Sequence, residues 1–104
     1  MSMIHTIGID IGSGAVKTTL FRSDGDRHAI IVDKSRCRLY ETWSTRKRNG
    51  RWIAGSGAVW DLRSNALRKD GWTSADAAGL PILPGLLRWS EVRKGNVDHA
   101  IRFT

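Results

Sequence analysis

The sequence predicts a mainly β domain, either an antiparallel sheet or a small sandwich or barrel, with one short helix near residues 73–79 and completion by oligomerisation. Three features lead there. Two apolar, β-branched runs flank a glycine turn near the N-terminus, residues 38–45 are rich in aromatic and β-branched side chains, and Asn49-Gly50 is a strong hairpin signal.

Taken in order, residues 4–11 and 16–21 read as strands on either side of Gly12-Ser13-Gly14, and residues 29–33 form a short apolar strand. The Asn49-Gly50 turn joins residues 40–45 to residues 51–54, which are expected as antiparallel neighbours with Trp43 and Trp52 as a cross-strand pair. The pentapeptide of residues 12–16 recurs at residues 55–59, where its glycines introduce a strand over residues 58–62. Residues 61–70 are polar enough for a loop. Thr73 as a helix start, an alanine-rich turn and Gly79 as a stop predict the short helix, about two turns long. Pro81 and Pro84 bracket Ile82 and Leu83 in extended geometry, residues 87–92 suit a strand or a helical turn, and the polar/apolar alternation of residues 99–103 predicts a last strand.

At 104 residues the chain is one domain, residues 1–104, large enough for a single modest core. With 40% hydrophobic and 26% charged residues it belongs with folding sequences rather than disordered ones. No apolar run approaches the roughly 18 residues that span a bilayer, so no membrane association is expected. One cysteine, Cys37, cannot make an internal disulfide, and stability has to come from packing or association.

Charge is unevenly placed. Residues 1–26 carry two basic and three acidic side chains, whereas residues 27–104 carry 15 basic and 7 acidic. The densest stretch holds Lys34, Arg36, Arg38, Arg46, Lys47, Arg48 and Arg51 against Glu41 alone. Such a cluster attracts phosphates and other polyanions, unless Arg46 to Gly50 is simply a solvated hairpin tip. The anion-binding candidates are Arg46 in this stretch and Gly12, Ser13, Gly14 and Lys17 in the first glycine turn.

His28 and His99 share a His-Ala-Ile sequence in strand context, and each lies on an apolar face by two-residue periodicity. If their strands were adjacent, the imidazoles with Asp33, Asp98 or Glu41 would make a metal site or an acid/base pair. His28, Asp33 and His99 are the candidate ligands of a divalent metal, and His28, His99 and Asp98 the candidate catalytic groups. The competing reading is that each histidine is a hydrogen-bonded core residue. Cys37 lies between Arg36 and Arg38, which would favour its thiolate, but no positioned histidine accompanies it and a structural role is expected. Five tryptophans, Trp43, Trp52, Trp60, Trp72 and Trp89, either supply the core or present rings for stacking on sugars, and core is the expected use.

The segment Gly8-Ile-Asp10-Ile-Gly12-Ser13-Gly14-Ala-Val-Lys17-Thr-Thr-Leu-Phe21 resembles the opening of the BadF/BcrA ATPases. These are the activators of 2-hydroxyacyl-CoA dehydratases and benzoyl-CoA reductases, in the superfamily of sugar kinases and actin. The resemblance spans residues 1–22 and implies a first phosphate loop, with Asp10 towards hydrated magnesium and Gly12, Ser13, Gly14 and Lys17 towards phosphate. That family's second phosphate loop, adenosine motif and iron–sulfur cysteines have no counterpart after residue 26, so ATP hydrolysis is not expected. Residues 26–104, including Cys37-Arg-Leu-Tyr-Glu41, Gly71-Trp-Thr-Ser-Ala-Asp76 and His99-Ala-Ile-Arg-Phe-Thr104, resemble an internal part of uncharacterised secreted bacterial proteins. The two resemblances imply a chimera of an ATPase-like hairpin (residues 1–25) and a basic β-rich segment (residues 26–104). Asp26-Arg27 can be encoded by codons containing GATC, a common cloning sequence, which suits a recombinant junction.

Two function classes follow. One is a binding or purely structural module for an anionic small molecule or a glycan. The other is a small metal-dependent hydrolase of phosphate esters, phosphodiesterase-like, whose metal would polarise the phosphoryl oxygen and lower the pKa of a bound water to roughly 7. A middle fragment of a larger sheet leaves edges open, and a homodimer would close them.

Overall fold

Short β-branched runs punctuated by turn residues fold into antiparallel ladders, and the protein is mainly β as its sequence predicts. The computed structural model describes residues 4–8, 18–22 and 25–102. Its strands are β1 (Ile4–Gly8), β2 (Thr18–Arg22), β3 (Ala29–Asp33), β4 (Arg38–Trp43), β5 (Arg46–Arg48), β6 (Arg51–Ile53) and β7 (Ser56–Asp61). A 3-10 turn, Leu83–Gly85, and one helix, α1 (Trp89–Lys94), follow. The strands form a three-stranded sheet in the order β3-β4-β7 and two separate pairs, β1-β2 and β5-β6, all antiparallel. β2 lies alongside β3 without a ladder joining them.

Register decides the buried face of the three-stranded sheet. Ile30 sits opposite Glu41 and Val32 opposite Leu39, while on the other side Leu39 faces Trp60 and Glu41 faces Ala58. Side chains two residues apart share a face, so Ile30, Val32, Leu39, Glu41, Ala58 and Trp60 point the same way. That face meets Ala75 and Ile82, with Leu83 and Leu86 at its margin. The core is therefore one sheet face covered by an irregular segment.

The cover is held by Glu41. Its wholly buried carboxylate accepts hydrogen bonds from Ile82 N–H, 2.9 Å from each oxygen, and from Leu83 N–H at 2.8 Å. Two successive N–H groups converging on one anion need helical backbone, and Ile82 lies at φ −81°, ψ −50°. This corrects the extended geometry expected between Pro81 and Pro84: Leu83, the residue before Pro84, opens the 3-10 turn, so the carboxylate overrides its extended preference.

The remaining differences also have local causes. The short helix exists at Trp89–Lys94 and not at residues 73–79. Around Ser74 the hydroxyls compete for the backbone, with Ser74 Oγ donating to Leu80 O at 2.9 Å and accepting from Asp76 N–H. Ala77 is left-handed at φ 58°, which no helix tolerates. At α1 the Glu91 carboxylate reaches back to Arg88 N–H at 2.7 Å, and Gly95 N–H closes on Glu91 O. The strand expected over residues 99–103 does not form among the described residues. Arg102 N–H donates instead to Gly85 O at 2.7 Å, and Gly85 is required there because a Cβ would stand 2.8 Å from that of Arg102.

Asn49 and Gly50 do form the expected turn, both with positive φ (49° and 74°). The strands it joins are β5 and β6, not residues 40–45 and 51–54. Left-handed Ser44, φ 54°, interrupts the run, so β4 pairs with β7 and the β5-β6 hairpin projects as a separate arm. Trp43 accordingly faces Ser56 and Trp52 faces Lys47, and the two indoles are not a cross-strand pair.

Candidate functional site

Where the β4-β7 ladder ends, at the pair Trp43 and Ser56, a cleft of about 380 Å³ opens. Its walls come from residues far apart in the chain: Asp26 and His28 ahead of β3, Trp43, Ser56, residues 73–77 and Arg102. Backbone bonds tie these segments together. Ser44 N–H donates to Asp26 O at 2.8 Å, Thr45 N–H to Arg27 O at 3.1 Å and Gly55 N–H to Trp43 O at 2.9 Å. The Trp43 ring rests on Gly55, where a Cβ would approach ring carbons to 3.0 Å. The second copy of the pentapeptide thus has a structural reason: Gly55 seats an indole, Ser56 opens β7 and Ala58 enters the core.

The charged groups in the cleft are largely paired with one another. Arg102 Nε donates to Asp76 Oδ1 at 2.9 Å, and a second guanidinium nitrogen shares that oxygen. Asp26 lies 3.8 Å from His28 Nε2, while His28 Nδ1 is buried and meets no hydrogen-bonding group among the described residues. The hydroxyls of Thr73 and Ser74 are bonded to backbone carbonyls. No hydroxyl is bonded to an imidazole among the described residues, and the Trp43 indole lies in the same cleft.

Beside it rises the basic arm. Arg46, Lys47, Arg48 and Arg51 are all exposed, and none has a carboxylate within ion-pair distance among the described residues. Lys47 stands 5.9 Å from the centroid of the exposed Trp52 ring. By strand alternation Arg46, Arg48 and Arg51 share the opposite face. Of the five tryptophans only Trp60 is a core residue. Trp43, Trp52, Trp72 and Trp89 are exposed, which corrects the expectation that the rings serve the core.

The residues proposed for metal or acid/base chemistry have separate partners. His28 immediately precedes β3 and Asp33 ends it, roughly 17 Å apart at the usual strand rise. Asp33 Oδ1 accepts from Ser35 N–H, Ser35 Oγ and Arg36 N–H, and the Ser35 hydroxyl above all holds its carboxyl below the usual range. It shapes the β3-β4 turn. His99 sits in a loop with Nδ1 2.8 Å from Ala100 O and Nε2 2.6 Å from Glu91 Oε1. Both ring nitrogens face acceptors, which favours the imidazolium and raises its pKa, the Ala100 carbonyl first and then Glu91 opposing the cost of burial. A doubly bonded imidazolium is neither a base nor a metal ligand. Asp98 is exposed and accepts from Asn96 Nδ2. Among the described residues, no three His, Cys, Asp or Glu side chains are grouped to hold a metal ion. Cys37 Sγ, 3.8 Å from Lys34 O, belongs to the β3-β4 turn.

Asp10, Gly12, Ser13, Gly14 and Lys17 lie outside the described residues. The two strands that flank them, β1 and β2, pair antiparallel from Ile4 opposite Arg22 to Gly8 opposite Thr18. No helix among the described residues is long and apolar enough to cross a membrane. Sequence reasoning passed over Asp26, Ser56, Asp76 and Arg102, because only the fold brings them to one cleft. No family model, curated protein or solved structure matches the chain.

Proposed function

We propose that the protein is a binding module for an anionic glycan, with the β5-β6 arm holding the negative groups and the Trp43 cleft at its root receiving a sugar ring. The observation that carries this reading is the arm itself: four exposed cations with no acidic residue among them, rooted beside the cleft. Unpaired surface cations gain most from a polyanion, through counterion release rather than through any fixed geometry. Trp43 and Ser56 supply the complementary apolar and hydroxyl contacts that a sugar face presents. A metal-dependent phosphoesterase would need His28, Asp33 and His99 to converge, and no observation favours that second reading.

Binding to a sulfated polysaccharide across a salt series tests this. The triple variant Arg46→Ala, Arg48→Ala, Arg51→Ala should lower affinity roughly 10- to 100-fold at low salt and flatten the log–log salt slope by about 0.7 per cation removed. Trp43→Ala should weaken the sulfated polysaccharide more than it weakens polyphosphate. No binding of the polysaccharide at low salt would end the proposal, and tighter binding to single-stranded DNA than to the glycan would replace it.

A further inference from the structure

A second cleft, about 260 Å³, lies between the far end of β7 and the loop that follows it. Its centre is Arg68. The guanidinium carbon is 5.3 Å from the Trp72 ring centroid and 5.9 Å from that of Trp60. Cation–π contact satisfies the faces of a guanidinium, but its N–H groups lie in its plane and need acceptors at the edge. Arg68 Nε is buried with no hydrogen-bond partner among the described residues.

The acid in the cleft wall does not answer it. Asp61 lines the same cleft, yet its carboxylate is taken by Arg63, 3.2 Å from Nε, and by Arg38 at 3.7 Å. No ion pair engages Arg68 among the described residues. Arg68 as a whole is half-buried, but a buried N–H of a charged group left without an acceptor is costly, and such groups in native proteins call for a reason. Lys69 adds a second cation to the rim, Ser64 a hydroxyl, and Val59, Leu67 and Trp72 give the wall its apolar part.

We infer that this cleft binds a small carboxylate with an apolar or aromatic body, the carboxylate bridging the Arg68 edge and the body packing against Trp72 and Leu67. Two acceptor oxygens match the guanidinium fork, which a single-point donor such as lysine cannot reproduce. The site is independent of the basic arm and of the glycan reading.

Titration of the isotope-labelled protein with 3-phenylpropionate, followed on the indole N–H resonances of Trp60 and Trp72, tests the inference. Saturable shifts are expected, with 3-phenylpropionamide binding at least about tenfold more weakly because it lacks the charge. Arg68→Met should abolish the shifts and Arg68→Lys should weaken binding by roughly tenfold. The triple arm variant should leave them unchanged. Equal binding of acid and amide, undiminished binding by Arg68→Met, or no saturable shift in the wild type would overturn the site. Inorganic phosphate binding as tightly as the acid would overturn the apolar part of the ligand. The acid/amide comparison uses the wild-type protein, so it decides the matter even if Arg68→Met fails to fold.

Discussion

A carboxylate in the middle of a strand and facing the core has to be accounted for by what it binds, because ionised side chains are almost never fully buried unpaired. Glu41 binds the backbone of the segment that covers the sheet, through Ile82 and Leu83. Burial raises its pKa, the two N–H donors oppose that, and the Trp60 indole N–H, which meets no acceptor at hydrogen-bonding geometry among the described residues, adds a weaker attraction. A carboxyl whose folded pKa lies above its unfolded value binds more protons when folded. The stability it contributes is therefore full below about 4.5 and is lost as pH rises through the raised value. Urea denaturation against pH should show this fall in the wild type and not in Glu41→Gln. Glu41→Leu should cost about 2–5 kcal/mol, since it strands two buried N–H groups in an apolar setting. A loss under about 1 kcal/mol would mean that Ile82 and Leu83 find other acceptors and that Glu41 does not hold the cover.

Among the elements, α1 has no buried residue, and polar contacts fasten it to the segment behind it. Glu91 joins them, accepting from Arg88 N–H at the helix start and pairing with His99 eight residues on. The Arg88 N–H, followed by His99, lowers the Glu91 pKa, while His99 is raised. The signs differ, so the pH limits do too. The Glu91 contribution is present above 4.5 and lost as pH falls through its lowered value; the His99 contribution is full below 6.5 and lost as pH rises through its raised value. Both act together between those limits. The difference in thermal midpoint between wild type and His99→Asn should therefore be larger at a pH below 6.5 than at a pH well above the raised value. In parallel, the His99 ring should titrate above 6.5 and move back towards it in Glu91→Gln. A pH-independent difference would show that His99 acts by packing alone. In the sequence, residues 87–92 suit a strand or a helical turn alike; Glu91 and Gly95 fasten the two ends of the helix that forms there. His99 was assigned to a strand because alternation survives in a loop whose side chains turn inward for other reasons.

For the molecule as a whole, what could be read in the sequence was what depends on near neighbours: the Ala29–Asp33 strand, the Asn49-Gly50 turn and the density of cations around it. What could not be read depends on residues that meet only after folding, such as Glu41 with Ile82 or Asp76 with Arg102. Association is the property of the whole still to be tested, and the sheet argues for it. One face carries the core; on the other, register aligns Ile31 with Tyr40 and Tyr40 with Val59, and Val59 is 52% exposed. A β-branched and aromatic row across three strands is the kind of surface that a second copy covers, in a two-fold pair that treats both chains alike. The net charge of +7 works against such pairing. Salt screens the repulsion between exposed charges and leaves apolar burial intact, so the dimer should strengthen as ionic strength rises. Light scattering at micromolar concentration should give about twice the 11.6 kDa of one chain, more fully in about 0.5 M salt than in low salt. Val59→Lys should return a folded monomer, because it adds charge to the row without touching the core face. A wild-type monomer at every salt concentration would rule the dimer out, and a dimer that salt dissociates would place the contact among the charges instead of on this row.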